Sequence, residues 1–174
     1  QQLPGGAQQA APPPAQLHAQ PRGPLRRLGT HNVRGISKPA DAKCAAAAWR
    51  RAGFDIVAVQ EHKLTFFTAP AVALALRRCG WTLLHAITPP GPAGVGKSGT
   101  AIAYRSALTR SQALRLDPAA AQRGADGRFI SVPADWCGHR LQICSIYLTS
   151  GDAVAQRQYI ANHLQPLAAA AAAA

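Results

Sequence analysis

The run FDIVAVQE, from Phe54 to Glu61, constrains this chain more than any other stretch. Ile56, Val57, Ala58 and Val59 form an unbroken apolar, mostly β-branched run. That is too short for a helix and suited to a strand covered on both faces. Helical patterns flank it. SKPADAKCAAAAWRRAG offers Ser37 as an N-cap, Pro39 in the first turn and Gly53 as a terminator. APAVALALRRCG reads as a second helix, stopped by Gly80. Upstream, PLRRLGTHNVRG carries Leu25, Leu28 and Val33 and reads as a strand entering a loop at Gly35. Downstream, WTLLHAI, TAIAYR and ALTRSQALRL each have strand length. RFISVPAD and HRLQICSIYL predict a hairpin around Trp136 to Gly138, with Leu141 and Ile143 alternating against Arg140 and Gln142. DAVAQRQYIANHLQPL spaces Val154, Tyr159, Ile160, Leu164 and Leu167 as a helix would. The class is α/β, with antiparallel pairing in its second half.

The ends add no core. Residues 1–24 are Gln, Ala, Pro and Gly with almost no large apolar side chains, the composition of a disordered leader. Residues 168–174 are uninterrupted alanine, a tail that can extend a preceding helix. The folded region is therefore expected over 25–167. With no methionine at all, the sequence is expected to be a piece of something longer.

Charge narrows the partners. Nineteen Lys and Arg stand against seven Asp and Glu, a net charge of +12 spread along the chain, and that balance favours a polyanion such as nucleic acid. No apolar run is long enough to span a bilayer, so no membrane partner is expected. Cys44, Cys79, Cys137 and Cys144 form no C-x-x-C pair and no zinc spacing with the histidines, so free thiols in a reducing compartment are expected. The start of the chain has neither the charged region nor the apolar core of a secretory signal.

GPAGVGKS, Gly91 to Ser98, matches the phosphate-cradling P-loop pattern G-x-x-x-x-G-K-[ST]. A working P-loop needs a helix beginning at the lysine, because backbone N–H groups and the helix terminus together hold the phosphate. Here Ser98 leads into GTAIAYR, whose alternation is that of a strand. The stretch therefore reads as a Gly-rich hairpin connection, with a nucleotide binder through Gly91–Ser98 as the weaker alternative.

Glu61 is the sole glutamate, and it ends the apolar strand. The C-terminal mouth of a buried strand is where α/β proteins place ligands and metals. Asn32 ends the first predicted strand, and neighbouring strands would bring the two side chains together. A carboxylate with an amide oxygen suits a hard cation such as Mg²⁺ or Mn²⁺.

Six fragments, THNVRGIS, DIVAVQEHKLT, GWTLLHA, GKSGTAIAYR, DGRFISV and QICSIYLTSGDAVAQRQYIANHLQPL, stand in the order seen in the endonuclease/exonuclease/phosphatase superfamily. The chain resembles the apurinic-endonuclease-like domains of non-LTR retrotransposons over Leu25 to Leu167. The resemblance implies a partial four-layer α/β sandwich of the deoxyribonuclease-I type with mixed and antiparallel sheets. It implies Asn32, Glu61 and Tyr147 as site residues: Glu61 as the main Mg²⁺ ligand, Asn32 positioning metal and phosphate, and Tyr147 beside the phosphate. Arg157 matches an arginine that reads as structural. His31 stands where the family usually carries an aromatic ring, and Thr149 where it carries proline. The family's later Asp-x-Asn and Ser-Asp-His motifs are absent: Val154 takes the place of the Asn, and His163 is expected in solvent.

The implied chemistry is metal-assisted phosphodiester hydrolysis. No general base can be assigned, so the expectation is a truncated, N-terminal portion of a nuclease domain, inactive alone. Its expected partner is nucleic acid, DNA first, and its expected location is intracellular, the nucleus ahead of the cytoplasm. The alternative of another class is a non-catalytic nucleic-acid-binding remnant.

Overall fold

A computed structural model of the chain describes residues 26–87, 98–148 and 150–172. The leader, most of the Gly-rich stretch including Lys97, Thr149 and the last two alanines lie outside the described residues. In chain order the elements are β1 (Leu28–Asn32), α1 (Pro39–Arg51), β2 (Ile56–Gln60), α2 (Ala69–Arg78), β3 (Trp81–Ala86), β4 (Thr100–Arg105), α3 (Ser106–Arg110), β5 (Leu114–Leu116), β6 (Gln122–Arg123), β7 (Phe129–Trp136), β8 (His139–Ile146) and α4 (Ala153–Ala172).

The first sheet runs β1-β2-β4-β3, with β1 parallel to β2 and the other pairs antiparallel. In the second, β7 is central: β5 and β6 pair with one edge and β8 with the other, all antiparallel. Alternation along β2 decides the layers. Val57 and Val59 face α1 and α2, in a core with Ala45, Trp49, Val72, Leu76 and Trp81. Ile56 faces the other way, onto Ile102, Ile130, Val132 and Ile143 of the packed sheets. Each fully buried β-branched side chain contributes about 1.5–3 kcal/mol relative to exposure. On the far side of the second sheet, His163 of α4 stacks on Phe129 with ring centroids 4.9 Å apart. The order is helix, sheet, sheet, helix, the four-layer class expected, with α4 alone among the described residues in the outer helical layer.

Most elements lie where the periodicity puts them. Cys137 and Gly138, with φ of 55° and 83°, form the two-residue turn of the β7–β8 hairpin, where both central residues of the tight turn need positive φ. The four cysteines are free. Three expectations change. The N-cap of α1 is Lys38 in place of Ser37, because the Asp41 carboxylate accepts the Lys38 N–H at 3.3 Å and starts the helix one residue later. ALTRSQALRL is not one strand: Thr109 Oγ1 donates to Ser106 O (3.0 Å) and Ser111 Oγ to Leu108 O (3.2 Å), closing the short α3 before β5. Val154 is 68% exposed and leaves the apolar stripe of α4, whereas Tyr159, Ile160, Leu164 and Leu167 are half-buried.

Ser98 leads into β4, whose Thr100 pairs with Gln60 on one side and Ala86 on the other. A strand starts where a P-loop would need the body of a helix. Gly99 is required for a different reason. At φ +111° it passes over the His62 ring, and a Cβ there would fall 2.3 Å from His62 Cε1. Gly99→Ala is therefore expected to cost at least about 2 kcal/mol, through overpacking and backbone strain together. Urea denaturation measures it, and an unchanged midpoint would show that the close approach is not needed.

Candidate active site

Parallel pairing of β1 and β2 makes Asn32 and Gln60 register partners, so Glu61 emerges beside Asn32 at one sheet edge. Asn32 Nδ2 donates to Glu61 Oε1 at 2.6 Å, while Asn32 Oδ1 accepts the Arg34 N–H at 3.1 Å. Tyr147 follows β8 and is held by its N–H donating to Arg128 O at 2.8 Å. Its side chain faces the Glu61 carboxylate. Burial first, then that carboxylate, push the phenol pKa above its ordinary value, against the opposing charge of Arg128. The structure thus brings Asn32, Glu61 and Tyr147 together. Arg157, by contrast, lies on the exposed face of α4.

Beneath them runs a polar layer between the two sheets. Gln60 Nε2 reaches Thr30 Oγ1 (3.0 Å), Ala58 O (3.2 Å) and Ser145 Oγ (3.4 Å), and Ser145 Oγ donates to Val59 O at 2.9 Å. Thr100 Oγ1 donates across to Gly127 O at 3.1 Å. Next to Glu61, His62 is fully buried. Its Nδ1 accepts the Leu64 N–H at 2.9 Å, so Nε2 carries the proton and points at Ala86 O and Thr100 O, each 3.1 Å away. Burial, then the neighbouring His85, pushes its pKa down to about 4 against the two carbonyl contacts, so the ring is neutral at physiological pH.

Two of the other histidines, His31 and His163, are also occupied, whereas His85 Nδ1 is buried without a hydrogen-bond partner among the described residues. His31 Nδ1 accepts the Trp49 Nε1–H at 2.9 Å, so an imidazole fills the aromatic place and gives a buried indole its partner. His163, expected in solvent, is half-buried instead, tilted on Tyr159 at 4.4 Å as well as stacked on Phe129, because the β6–β7 loop folds under α4. His139 opens β8 beside the hairpin turn and is exposed. Among the described residues no three His, Cys, Asp or Glu side chains gather as a metal cluster. A hollow of about 740 Å³ lies between the β5–β7–β8 face and the end of α4, lined by Leu116, Ala134, Leu141 and Leu167 among others, and none of the three site residues lines it.

The loop before β7 adds a cluster with no signal in spacing. Asp126 accepts from Arg128 Nε at 2.7 Å and from the Tyr159 hydroxyl at 2.9 Å, and the Arg128 guanidinium lies 4.7 Å over the Tyr159 ring. Only the DGR triplet marks it in the sequence; its partner on α4 is 33 residues away.

The family model described as Endonuclease/Exonuclease/phosphatase family matches residues 29–173. No curated protein matches. Among solved structures, an AP endonuclease, LMAP, from Leishmania major is similar with TM-score 0.53 and 19% identity, over 80% of this chain and 44% of that one. An AP endonuclease from Archaeoglobus fulgidus is similar with TM-score 0.52 and 18% identity, over 82% of this chain and 49% of that one. The endonuclease domain of TRAS1, a telomere-specific non-LTR retrotransposon, aligns at TM-score 0.46 and 15% identity, over 82% of this chain and 57% of that one. The chain spans about half the length of these structures.

The Asp126 cluster gives a pH test. Burial alone would raise the Asp126 pKa, but the Arg128 N–H, the guanidinium and the Tyr159 hydroxyl together hold it below the ordinary carboxylate value. Stability from the ionised form is therefore complete above the unfolded pKa of about 3.9 and is lost as pH falls through the lower folded value. Tyr159→Phe is expected to cost about 1 kcal/mol at pH 7, discounted because Asp126 is partly solvated. The gap between the two proteins should narrow as urea titrations move from pH 5 toward pH 2. An identical gap at both ends would show that the hydroxyl does not serve the carboxylate.

Proposed function

The chain belongs to the endonuclease/exonuclease/phosphatase family, and from that membership we propose that it carries the metal- and phosphate-holding part of a metal-dependent phosphodiesterase acting on nucleic acid. The observation that carries the reading is the 2.6 Å contact between Asn32 Nδ2 and Glu61 Oε1, with the Tyr147 side chain on the same carboxylate.

The donor set fits Mg²⁺ or Mn²⁺. Magnesium is commonly held by one or two carboxylates, with waters and substrate phosphates completing the shell, so a lone glutamate at a strand mouth is a sufficient protein ligand. Glu61 would hold the ion. Asn32 in its present rotamer orients Glu61, and as a second ligand it would have to turn Oδ1 away from the Arg34 N–H. When bound, the ion polarises a phosphoryl oxygen and offsets developing negative charge. The Tyr147 hydroxyl can donate to a phosphate oxygen, and Asn32 Nδ2 can donate to the same group.

Water activation is assigned to none of three histidines packed into the fold. His62, His31 and His163 are committed to Leu64 and two carbonyls, to Trp49 and to two rings, respectively. Nucleic acid as substrate is supported by the net charge of +12 and by a fold shared with AP endonucleases. We take DNA as the form acted on, and the order of the sequence fragments points to a retrotransposon-type parent working on nuclear DNA. No helix among the described residues is long and apolar enough to cross a membrane.

Two measurements on this chain test the proposal. Mn²⁺ titrated by electron paramagnetic resonance should show one bound ion, lost in Glu61→Ala. With Mg²⁺ and a plasmid or abasic oligonucleotide, mobility should fall at low salt with no nicking above the Glu61→Ala control, because general-base assistance worth about 10²–10⁴-fold is missing. Cleavage abolished by Glu61→Ala would show that a present histidine or aspartate supplies the base. Equal Mn²⁺ binding by both proteins would remove Glu61 from the site and leave a non-catalytic nucleic-acid binder.

A further inference from the structure

Two phenylalanines stand out next to the site. Phe66 is 70% exposed and Phe67 89%, whereas Phe54, Phe129, Trp49, Trp81 and Trp136 are all buried or half-buried. A phenyl ring left in water forgoes a large burial gain. These two are not left out by loose chain. Leu64 and Thr65 before them and Ala69 after them are buried. The Thr65 N–H donates to Thr68 Oγ1 at 3.0 Å and the Thr68 N–H to Thr65 Oγ1 at 3.3 Å, while Ala69 N–H caps Thr65 O at 2.9 Å. The reciprocal turn fixes both rings outward.

The turn belongs to the loop that begins at Glu61. Lys63 N–H donates to Ser98 O at 2.8 Å and Leu64 N–H to His62 Nδ1 at 2.9 Å, so the loop is tied down along its length. Five residues of chain span at most about 18 Å, which is roughly five nucleotide steps of a strand at 3.4 Å each. The surroundings are cationic: Lys63 lies against Gly35, and Arg34 flanks the same mouth. Rigid exposed rings beside positive charge suit a partner that is anionic along its backbone and flat and apolar in its bases.

We propose that Phe66 and Phe67 form a stacking wedge for nucleobases of the strand whose phosphate sits at Glu61. The proposal rests on the nucleic-acid reading above and deepens it: the site engages bases next to the phosphate, so an unpaired or easily unstacked step is favoured over a continuously stacked duplex.

The test compares the wild type, the double variant Phe66→Ala/Phe67→Ala and the ring-restoring Phe66→Trp/Phe67→Trp. Equilibrium binding is measured to a single-stranded oligonucleotide, to a tetrahydrofuran strand of the same length that lacks bases, and to anionic phosphatidylserine vesicles. The wild type should prefer the base-bearing strand, and the Ala variant should lose about 10-fold on that strand alone. Its salt slope should be unchanged, because no phosphate contact is removed. The Trp variant should recover the affinity, and all three should melt alike, since the rings are exposed. Equal affinity of wild type and Ala variant for the base-bearing strand overturns the wedge and leaves the Glu61-dependent Mn²⁺ result standing. Loss confined to vesicles overturns it in favour of a lipid surface. Failure of the wild type to bind either strand overturns the wedge and the nucleic-acid reading together.

Discussion

Strand β2 is covered on both faces, with Val57 and Val59 under the helices and Ile56 under the second sheet. A strand in that position has no solvent-facing side on which to place polar groups. Its chemistry can only appear where it ends, and Glu61 is where it ends. The parallel partner β1 has the same direction, so its last residue arrives at the same edge. The contact between Asn32 and Glu61 is in this sense a consequence of direction and burial, and it would be lost in an antiparallel pairing of these two strands.

Burying the end of β2 brings polar groups into the space between the sheets, and each must find a partner there. Gln60 faces the second sheet and is satisfied by Thr30, its own strand and Ser145. Thr100, opposite Gln60 on β4, is satisfied by Gly127 O. These bonds join β2 to β8 and β4 to the loop that leads into β7 at the level of the site, and so set the height at which Tyr147 leaves β8. A hydrophobic pair at the same place would hold the sheets together without specifying that height.

The fold was legible where period and punctuation agree. Apolar runs of four to six residues between Gly-terminated helices announced β2, β3 and β4, and strict alternation announced the β7–β8 hairpin. Asn32 and Glu61 could be read as site residues from their place at strand ends, while Tyr147 came only from the resemblance. Other features depend on contacts that spacing does not encode. Nothing local says that His62 is buried, since its Nε2–H finds acceptors only in the carbonyls of Ala86 and Thr100, brought in by two other strands. His163 fails the amphipathic test for the same reason: a ring that looks polar in a helical wheel becomes half-buried once Phe129 and Tyr159 offer it two faces. The short α3 was hidden because Ser and Thr side chains bonding their own backbone leave no apolar period to detect.

The mouth of the site is held in a strained but fixed form. Arg34, Glu61 and Lys63 all have φ between 52° and 56°, three of the five non-glycine residues with positive φ among those described. Each such left-handed residue costs about 1–2 kcal/mol, and glycine would remove that cost if the backbone alone mattered. The strain is offset by bonds that act only in this geometry: Val33 N–H to Gln60 O, Ile36 N–H to His62 O, Lys63 N–H to Ser98 O, and His62 to three backbone groups. Side chains at these positions are therefore aimed before any ligand arrives. Holding groups in place beforehand lowers the ordering cost of binding. On the proposed reading, the residues shown at the mouth, the carboxylate of Glu61, the cations of Arg34 and Lys63 and the two phenyls beyond them, would set what the site accepts, because the bonds that hold the backbone also hold their directions.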